Sequence, residues 1–407
     1  MKYRQFRLLV NASCLAGLVI WTLVTLFKSA TLLDKPVAQD YGLNLLLSVE
    51  VIERHSFPFA FLYPLPSILL RYYLFRIGGD FSGLIWVGAM AFSMYFIMRF
   101  LVQEFYTGET DLRYIYAMLA FLPVAYYVQW DMRALNCNLI VLCLVLASAF
   151  YMKKESFFVS ALFLSLGVAL KLYPVLILAY FLIRKRYRLV LYAVFWIAAL
   201  FVLIPVMALG VPGFIELTGK WVESVASTGA PDFLVRLVAY KTSLHFAVLS
   251  LMSKGDLAAL STPSLHDIKL FILSLQIFFI ICAVIYLVFD LRTPSPKGVD
   301  HDLFSIILIL LWSLLFSEQL QPHHGVFLLA ASALIINFSL FGNYPGSVRY
   351  PVLAMAVLPS LVLKAASPGM EKAFAMNFQI VLYLFVLVFL RFHMAGRRAV
   401  SRGWASE

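Results

Sequence analysis

The sequence predicts an all-α polytopic membrane protein, and three observations support this prediction. Hydrophobic residues make up 63% of the 407 residues, charged residues make up 13%, and the mean hydropathy is +0.90. Apolar runs recur along the whole chain, many of them close to the roughly 20 residues that a helix needs to cross a bilayer. The basic residues lie in short clusters between these runs, where positive charge sets membrane orientation. The net charge of +11 therefore does not indicate nucleic-acid binding.

Thirteen apolar segments are candidate membrane spans. They cover residues 8–27, 57–77, 81–101, 113–130, 137–152, 156–171, 173–183, 189–210, 268–289, 302–318, 323–341, 350–365 and 376–393. If 57–77 crossed the membrane, the strongest basic cluster, at 184–188, would lie outside, against the positive-inside rule. Pro58, Pro64 and Pro66 also break the start of this segment, so we expect a helix in the outer interface there. About twelve spans remain, in a single transmembrane domain over residues 1–407 with both termini in the cytoplasm.

This topology gives two long outer loops, at 28–80 and 211–267, and short basic inner loops. The segments 156–171 and 173–183 are short for full spans. The turn between them lies where a break is expected, because Pro174 cannot donate a helical hydrogen bond to Leu170. Broken helices persist in membranes only where they are buried in protein or line a wet cavity. Lys171 lies at this predicted break.

Polar side chains gather at the outer face of the predicted bundle. A charge at the bilayer centre costs about 2.5–3.5 kcal/mol on insertion scales, and transporters tolerate such charges at midplane sites. Interfacial placement instead suits chemistry on a lipid headgroup. The outer set comprises Asp40, Glu50, Glu53, Arg54, His55, Asp131, Arg133, Asn136, Asn138, Lys171, Glu318, Gln321, His323 and His324.

Asp40 is the strongest candidate for a catalytic base. It follows the first span in Gln39-Asp40-Tyr41 and precedes an apolar amphipathic run. A carboxylate here could accept the proton of a sugar hydroxyl while that oxygen attacks an anomeric carbon, and general-base help contributes roughly 10²–10⁴-fold. A solvated loop carboxylate or a helix cap is the structural alternative.

Lys171, Arg133 and the pair His323-His324 suit the binding of a donor phosphate. A sugar carried on a polyprenyl phosphate releases a phosphate when it is transferred, and cations and hydrogen-bond donors stabilise the departing charge. Lys171 could instead snorkel to the interface. Adjacent histidines point about 100° apart on a helix, so the pair is a poor site for one metal ion.

The segment from Asp131 to Asn138 has both a functional and a structural interpretation. Asp131, Asn136 and Asn138 could contact a substrate. Alternatively, Asp131 and Arg133 could form a simple ion pair, and the two asparagines could hydrogen-bond at a helix start.

Short motifs follow one another along the chain and carry a family resemblance. Asp40 precedes the aromatic- and proline-rich stretch Phe61-Leu62-Tyr63-Pro64-Leu65-Pro66, and Leu135-Asn136-Cys137-Asn138 opens a later span. Lys171-Leu172-Tyr173-Pro174 is followed by the basic cluster at 184–188, and Pro322-His323-His324 comes late in the chain. With these motifs the chain resembles the integral-membrane glycosyltransferases of the GT-C superfamily. More narrowly, it resembles glycosyltransferase family 87, the polyprenyl-phosphomannose-dependent α-mannosyltransferases.

The sequence departs from the family pattern at three places. Gly-Gln-x-Asn of the family reads Leu135-Asn136-Cys137-Asn138, and the Trp that often separates the paired histidines is absent. Asn-Gln-Ser in the second long loop appears only as Lys241-Thr242-Ser243. These departures leave the class unchanged and the donor sugar and acceptor open.

The resemblance implies a GT-C-like bundle that transfers a sugar from a polyprenyl-phosphate donor to a lipid or glycan hydroxyl at the outer face, with inversion. Mannose is the default sugar, and arabinose or another pentose or hexose remains open. Asp40 would be the base, and no metal or nucleotide cofactor is expected. A bacterial inner membrane is the expected location. The residues expected to contact substrate are Tyr63, Asp131, Asn136, Asn138, Tyr173, Glu318 and Gln321.

Other function classes remain open from the sequence. An O-antigen ligase or polymerase also uses lipid-linked sugars and a long outer loop, and the 211–267 loop offers Arg236 and His245. A lipid-linked-sugar transporter or flippase would predict an internal repeat, which the two halves of the sequence do not show. A membrane scaffold without chemistry is the last alternative.

Overall fold

The computed structural model describes residues 2–30, 40–55, 63–106, 112–227, 301–316, 322–341, 346–365 and 376–391, with part of 270–289. Every regular element within these ranges is helical, which confirms the all-α fold class. The first helices are α1 (Lys2–Ala30), α2 (Asp40–Arg54), α3 (Leu65–Gly78), α4 (Ser82–Phe105), α5 (Arg113–Phe121), α6 (Ala125–Ala134), α7 (Asn138–Lys153) and α8 (Phe157–Leu170). They are followed by α9 (Val175–Ile183), α10 (Tyr187–Ala198), α11 (Ile204–Ser227), α12 (His301–Phe316), α13 (Leu328–Phe341), α14 (Gly346–Ala365) and α15 (Met376–Arg391).

Several of these helices have the length and composition of membrane spans. Within the described ranges, four stretches are long and apolar enough to cross a bilayer, namely Gln5–Thr25, Ser82–Phe105, Tyr187–Val225 and His323–Leu340. Arg113–Ala134 and Asn138–Lys153 pass the same test as a pair, but they meet at an angle of 113°. Phe157–Leu170, His301–Leu315 and Met376–Arg391 are apolar but shorter. The chain is therefore a helical membrane protein, with fewer full-length spans in its described residues than the twelve predicted.

Local sequence explains where several helices begin and end. Pro64 precedes the first turn of α3 with φ −64° and ψ 150°, and Pro66 falls in that turn, where a missing N–H breaks no helical bond. Lys171 has extended torsions after α8, and Pro174 precedes α9. The helix break predicted at Lys171 and Pro174 is therefore present in the structure.

Gly210 breaks the long helix formed by α10 and α11. Its torsions, φ 70° and ψ 168°, lie in a region that favours glycine, and Pro212 follows two residues later. The helix then resumes to Ser227. The first part of the predicted outer loop 211–267 is therefore helical. Pro212 does not prevent this, because a proline is tolerated in the first turn of the resumed segment.

The helices group into two compact units. Unit 1 comprises residues 1–15, 101–126 and 237–407, and unit 2 comprises residues 16–100 and 127–236. In unit 1, the side-chain oxygen of Asn11 accepts hydrogen bonds from the backbone N–H groups of Tyr114 at 2.7 Å and Ile115 at 3.3 Å. Asn11 thereby satisfies the open first turn of α5. The Tyr116 hydroxyl donates to the backbone oxygen of Ala333 on α13 at 2.9 Å.

Unit 2 contains the antiparallel hairpin of α7 and α8. The hydroxyls of Ser148 and Ser160 lie 3.0 Å apart across this hairpin, and both side chains are buried. Small residues allow such close approach of two apolar helices. Because the hairpin is antiparallel, the start of α7 and the end of α8 lie at the same end. This arrangement places Asn138 beside Lys171.

Helices α2, α3 and α11 pack on one another in the same unit. Val51, Leu65, Ile68, Leu69 and Leu217 form their shared apolar cluster, and each is at most 3% exposed. Tyr63 packs against the edge of this cluster. The cluster therefore holds the start of α3 in place, together with Tyr63, which lies just before it in the chain.

Candidate functional site

The turn between α6 and α7 is the structural basis of the candidate site. Leu135 has φ +49°, a left-handed conformation that is uncommon for a residue with a side chain. Its carbonyl oxygen accepts a hydrogen bond from the buried Trp86 Nε1 at 2.8 Å. The Asn136 amide oxygen accepts the backbone N–H of Cys137 at 2.8 Å. These bonds hold the sharp turn in place, since backbone groups buried away from water need partners.

Asp131 lies on α6 and is completely buried, and both oxygens of its carboxylate accept hydrogen bonds from the start of α7. Its Oδ1 accepts a bond from Asn138 Nδ2 at 2.8 Å, and its Oδ2 accepts the backbone N–H of Leu139 at 3.0 Å. A carboxylate is favoured at a helix N-terminus because the unpaired N–H groups and the helix dipole stabilise negative charge. Asn136 and Asn138 therefore form hydrogen bonds at a helix start, as in the structural alternative given above, and Asp131 takes part in the same network.

Asn138 links this capping network to the break after α8. Its Oδ1 accepts hydrogen bonds from Lys171 Nζ at 2.8 Å and from the Tyr173 hydroxyl at 3.2 Å. The Asn138 side chain is fully buried, whereas Lys171 and Tyr173 are half-buried. The extended backbone at Lys171 turns this side chain toward the start of α7. Lys171 therefore belongs to a polar network with Asp131 and Asn138.

Arg71 of α3 adds a second cation to the same region. Its guanidinium lies 3.9 Å from the centre of the Tyr63 ring and 5.7 Å from that of the Trp86 ring. Lys171 Nζ lies 5.8 Å from the centre of the same Tyr63 ring. Arg71, Lys171 and Asp131 all lie within electrostatic reach of Cys137. Unit 2 therefore contains a mostly buried cluster in which two positive side chains accompany one negative one.

Six of the predicted site residues meet in this cluster. They are Tyr63, Asp131, Asn136, Asn138, Lys171 and Tyr173. Arg71 and Trp86 also belong to it and were not predicted. The sequence alone does not separate Arg71 from Arg76, the other arginine of α3.

Asp40 is the first residue of α2, which makes it a helix-start residue instead of a loop residue. The placement of its side chain lies outside what the structure describes. The other end of α2 is held at the protein surface. His55 Nδ1 lies 2.9 Å from Glu216 Oε2, and Lys220 Nζ donates to the His55 backbone oxygen at 2.7 Å.

The other predicted residues lie at the surface, in unit 1 or outside the described ranges. The Arg133 side chain is exposed. His323 is buried and His324 half-buried in unit 1, on the 3₁₀ turn Pro322–Phe327, with their ring centres 4.6 Å apart. Glu318 and Gln321 lie outside the described residues.

Metal-binding groups are sparse in the part of the chain that the structure describes. No three His, Cys, Asp or Glu side chains there are close enough together to hold an ion. An Asp-x-Asp sequence occurs at 300–302, and its buried His301 and Asp302 have their Nδ1 and Oδ1 atoms 3.9 Å apart.

Comparison with known families adds an independent observation. The model of glycosyltransferase family 87 matches residues 61–318 of this chain. The match includes the whole buried cluster of unit 2 and begins after Asp40. No curated protein matches the chain significantly. Because the family model covers more than half of this helical membrane protein, the chain belongs to glycosyltransferase family 87.

Proposed function

We propose that this protein moves a sugar, mannose by default, from a polyprenyl-phosphate donor to a hydroxyl of a lipid or glycan acceptor, with inversion. Family membership supports glycosyl transfer as the reaction class. The observation that carries the choice of donor is the cluster of Lys171, Asn138 and Tyr173. It places a hydrogen-bonded ammonium in a mostly buried region of a membrane protein. A cation in such a place suits a lipid-borne phosphate, because electrostatic interactions strengthen away from water.

The proposed reaction is a single displacement at the anomeric carbon. The acceptor oxygen forms a bond to this carbon while the bond from the carbon to the phosphate oxygen breaks. Asp40 takes the acceptor proton, and the polyprenyl phosphate leaves with the bonding electrons. Lys171 stabilises the negative charge that develops on this leaving group.

The other predicted residues have supporting roles in this proposal. His323, His324 and Arg133 are proposed as further donor-phosphate ligands. Tyr63, Asp131, Asn136, Asn138, Tyr173, Glu318 and Gln321 are proposed to shape the substrate site. Since both oxygens of Asp131 already accept hydrogen bonds, we assign it to holding Asn138 instead of to proton transfer.

The proposed topology has twelve spans in a bacterial inner membrane, with α2 and α3 in the outer interface and the reaction at the extracytoplasmic face. Helix α3 is 14 residues long, which is short of a full span. The basic clusters at Lys153-Lys154 and 184–188 follow α7 and α9, and positive charge favours the cytoplasmic side.

The orientation is testable by cysteine accessibility. In a variant without the natural Cys14, Cys137, Cys143 and Cys282, a single cysteine replaces either Ser227 or Lys153. We expect a membrane-impermeant maleimide added to intact cells to label position 227, and to label position 153 only after permeabilisation. Labelling of 153 but not 227 in intact cells would overturn the proposed topology.

The function is testable with purified protein in detergent. We expect transfer of radiolabelled mannose from polyprenyl-phosphate-mannose to added glycolipid acceptors, and no transfer from a nucleotide sugar. A polyprenyl-diphosphate-linked glycan is the comparison donor, because an O-antigen ligase or polymerase would use it instead. Release of sugar only from this second donor, or from neither across pentose and hexose donors, would contradict the proposal.

A further inference from the structure

We infer that Arg71 binds the phosphate group of a prenyl-phosphate lipid, forming an anion site in unit 2 together with Lys171. The identity of the ligand rests on the proposed function. The site itself rests on the position and surroundings of the Arg71 side chain.

Arg71 is buried to an unusual degree for an arginine. Its side chain is 1% exposed, and its Nε and Nη1 atoms are buried without a hydrogen-bond partner among the described residues. A buried guanidinium without acceptors is unfavourable, because the charge loses its hydration and its N–H groups lose their bonds to water. Such a side chain is explained by an acceptor that is present only when a ligand is bound.

The aromatic neighbours fix the guanidinium without using its N–H groups. Tyr63 lies against it at 3.9 Å from the ring centre, and Trp86 lies at 5.7 Å. A cation over a ring is stabilised through its face, whereas the N–H bonds of a guanidinium lie in its plane. The Nε and Nη1 groups of Arg71, which lie on different edges of the guanidinium, are therefore available to donate charge-assisted hydrogen bonds to phosphate oxygens.

Lys171 extends this site beyond a single side chain. Its ammonium lies 5.8 Å from the centre of the Tyr63 ring that Arg71 contacts at 3.9 Å. Arg71 and Lys171 contribute two positive charges, and Asp131 contributes one negative charge. The three side chains together carry a net positive charge, which one phosphate neutralises.

This charge also distinguishes the donor from the product. The phosphodiester of a sugar donor carries about one negative charge, whereas a phosphate monoester carries about 1.5 to 2 at pH 7. An anion site of this kind therefore binds the departing polyprenyl phosphate more tightly than the donor. Interactions that strengthen as the leaving group gains charge lower the barrier to transfer.

The test measures binding of farnesyl phosphate to the purified full-length chain by calorimetry, with farnesol and inorganic phosphate as comparison ligands. We expect Arg71→Gln to weaken farnesyl phosphate binding by at least about tenfold, because two charge-assisted hydrogen bonds are lost. Arg71→Lys keeps the charge but not the planar fork, and we expect an intermediate affinity. Farnesol should bind weakly and equally to all variants.

Arg76→Gln is the matched control on the same helix. The Arg76 side chain is 62% exposed and lies 3.8 Å from Glu53, so its loss should leave farnesyl phosphate binding unchanged. Wild-type affinity in Arg71→Gln would overturn the inference, as would an equal loss of farnesol binding, which would indicate packing alone. If Arg71→Gln does not fold, Arg71→Lys decides, and wild-type affinity in that variant overturns the inference, because lysine cannot reproduce the hydrogen bonds of the guanidinium.

Three further outcomes separate the source of the ligand from the proposed function. Equally tight, Arg71-dependent binding of inorganic phosphate would show a site for free phosphate and would overturn the lipid assignment. Arg71-dependent binding of farnesyl phosphate in a protein that transfers no sugar would support the anion site and refute the transferase. Sugar transfer with farnesyl phosphate binding that is independent of Arg71 would refute only the inference.

Discussion

Replacing Asp40 with Asn is expected to lower the rate of sugar transfer by about 10²–10⁴-fold, the range that general-base catalysis contributes. Asparagine keeps the volume and hydrogen-bonding capacity of the side chain but cannot accept the acceptor proton. Initial rates with saturating polyprenyl-phosphate-mannose measure this effect. Donor binding, measured by calorimetry, should stay near the wild-type value, because the change removes an interaction that matters only in the transition state.

The position of Asp40 at the start of α2 makes a stability control necessary. An acidic residue in the first turn of a helix is favourable by typically 0.3–1 kcal/mol, so a purely structural role would appear as a small loss of stability. Glu223→Gln on α11 is the matched control, since it also neutralises one carboxylate on a helix, and the exposed Glu223 has no role in the proposed site. If Asp40→Asn retains more than about a tenth of the activity, the base lies elsewhere, and Glu50, Glu53 and Glu318 are the next candidates.

Helix ends near prolines could be predicted from the sequence because the cause is local. Pro64 and Pro66 mark the start of α3, and Pro174 marks the break before α9, since a proline removes one backbone donor wherever it lies. The prediction that an apolar helix ends at residue 210 was only partly right. Gly210 does break the helix, but the chain resumes a helix to Ser227 that packs through Leu217 on α3. That packing is a tertiary effect and leaves no local sign.

The polar cluster was only partly predictable for a similar reason. Family motifs pointed to Asn138, Lys171 and Tyr173, and the hairpin of α7 and α8 brings them together. No role was predicted for Arg71, which lies within the apolar segment 57–77. Its importance depends on Tyr63 and Trp86, which lie on either side of it in the chain and meet it only in the folded structure. Burial of an arginine is a property of the fold, and composition does not reveal it.

Replacing Lys171 with Met should reduce the turnover number by about 10²–10³-fold, as expected for loss of one group that stabilises developing negative charge. Methionine keeps much of the apolar stem but removes the ammonium. Lys154→Met is the matched control, because it also replaces an ammonium near an aromatic ring. The ammonium of Lys154 lies 4.1 Å from the centre of the Phe150 ring, and this lysine is exposed and has no role in the proposed site. Steady-state kinetics should show a fall in kcat larger than any rise in KM.

Asn138→Leu tests how Lys171 is positioned. The Asn138 oxygen accepts the Lys171 ammonium at 2.8 Å, so its removal should misplace the cation while keeping its charge. We expect a loss of about tenfold in kcat, smaller than that of Lys171→Met, because small displacements of a catalytic group lower the rate without abolishing it. In the double variant the two losses should not add, since both act through one ammonium. If Lys171→Met instead unfolds the protein at a lower temperature while the folded fraction turns over at the wild-type rate, the ammonium stabilises only the break between α8 and α9.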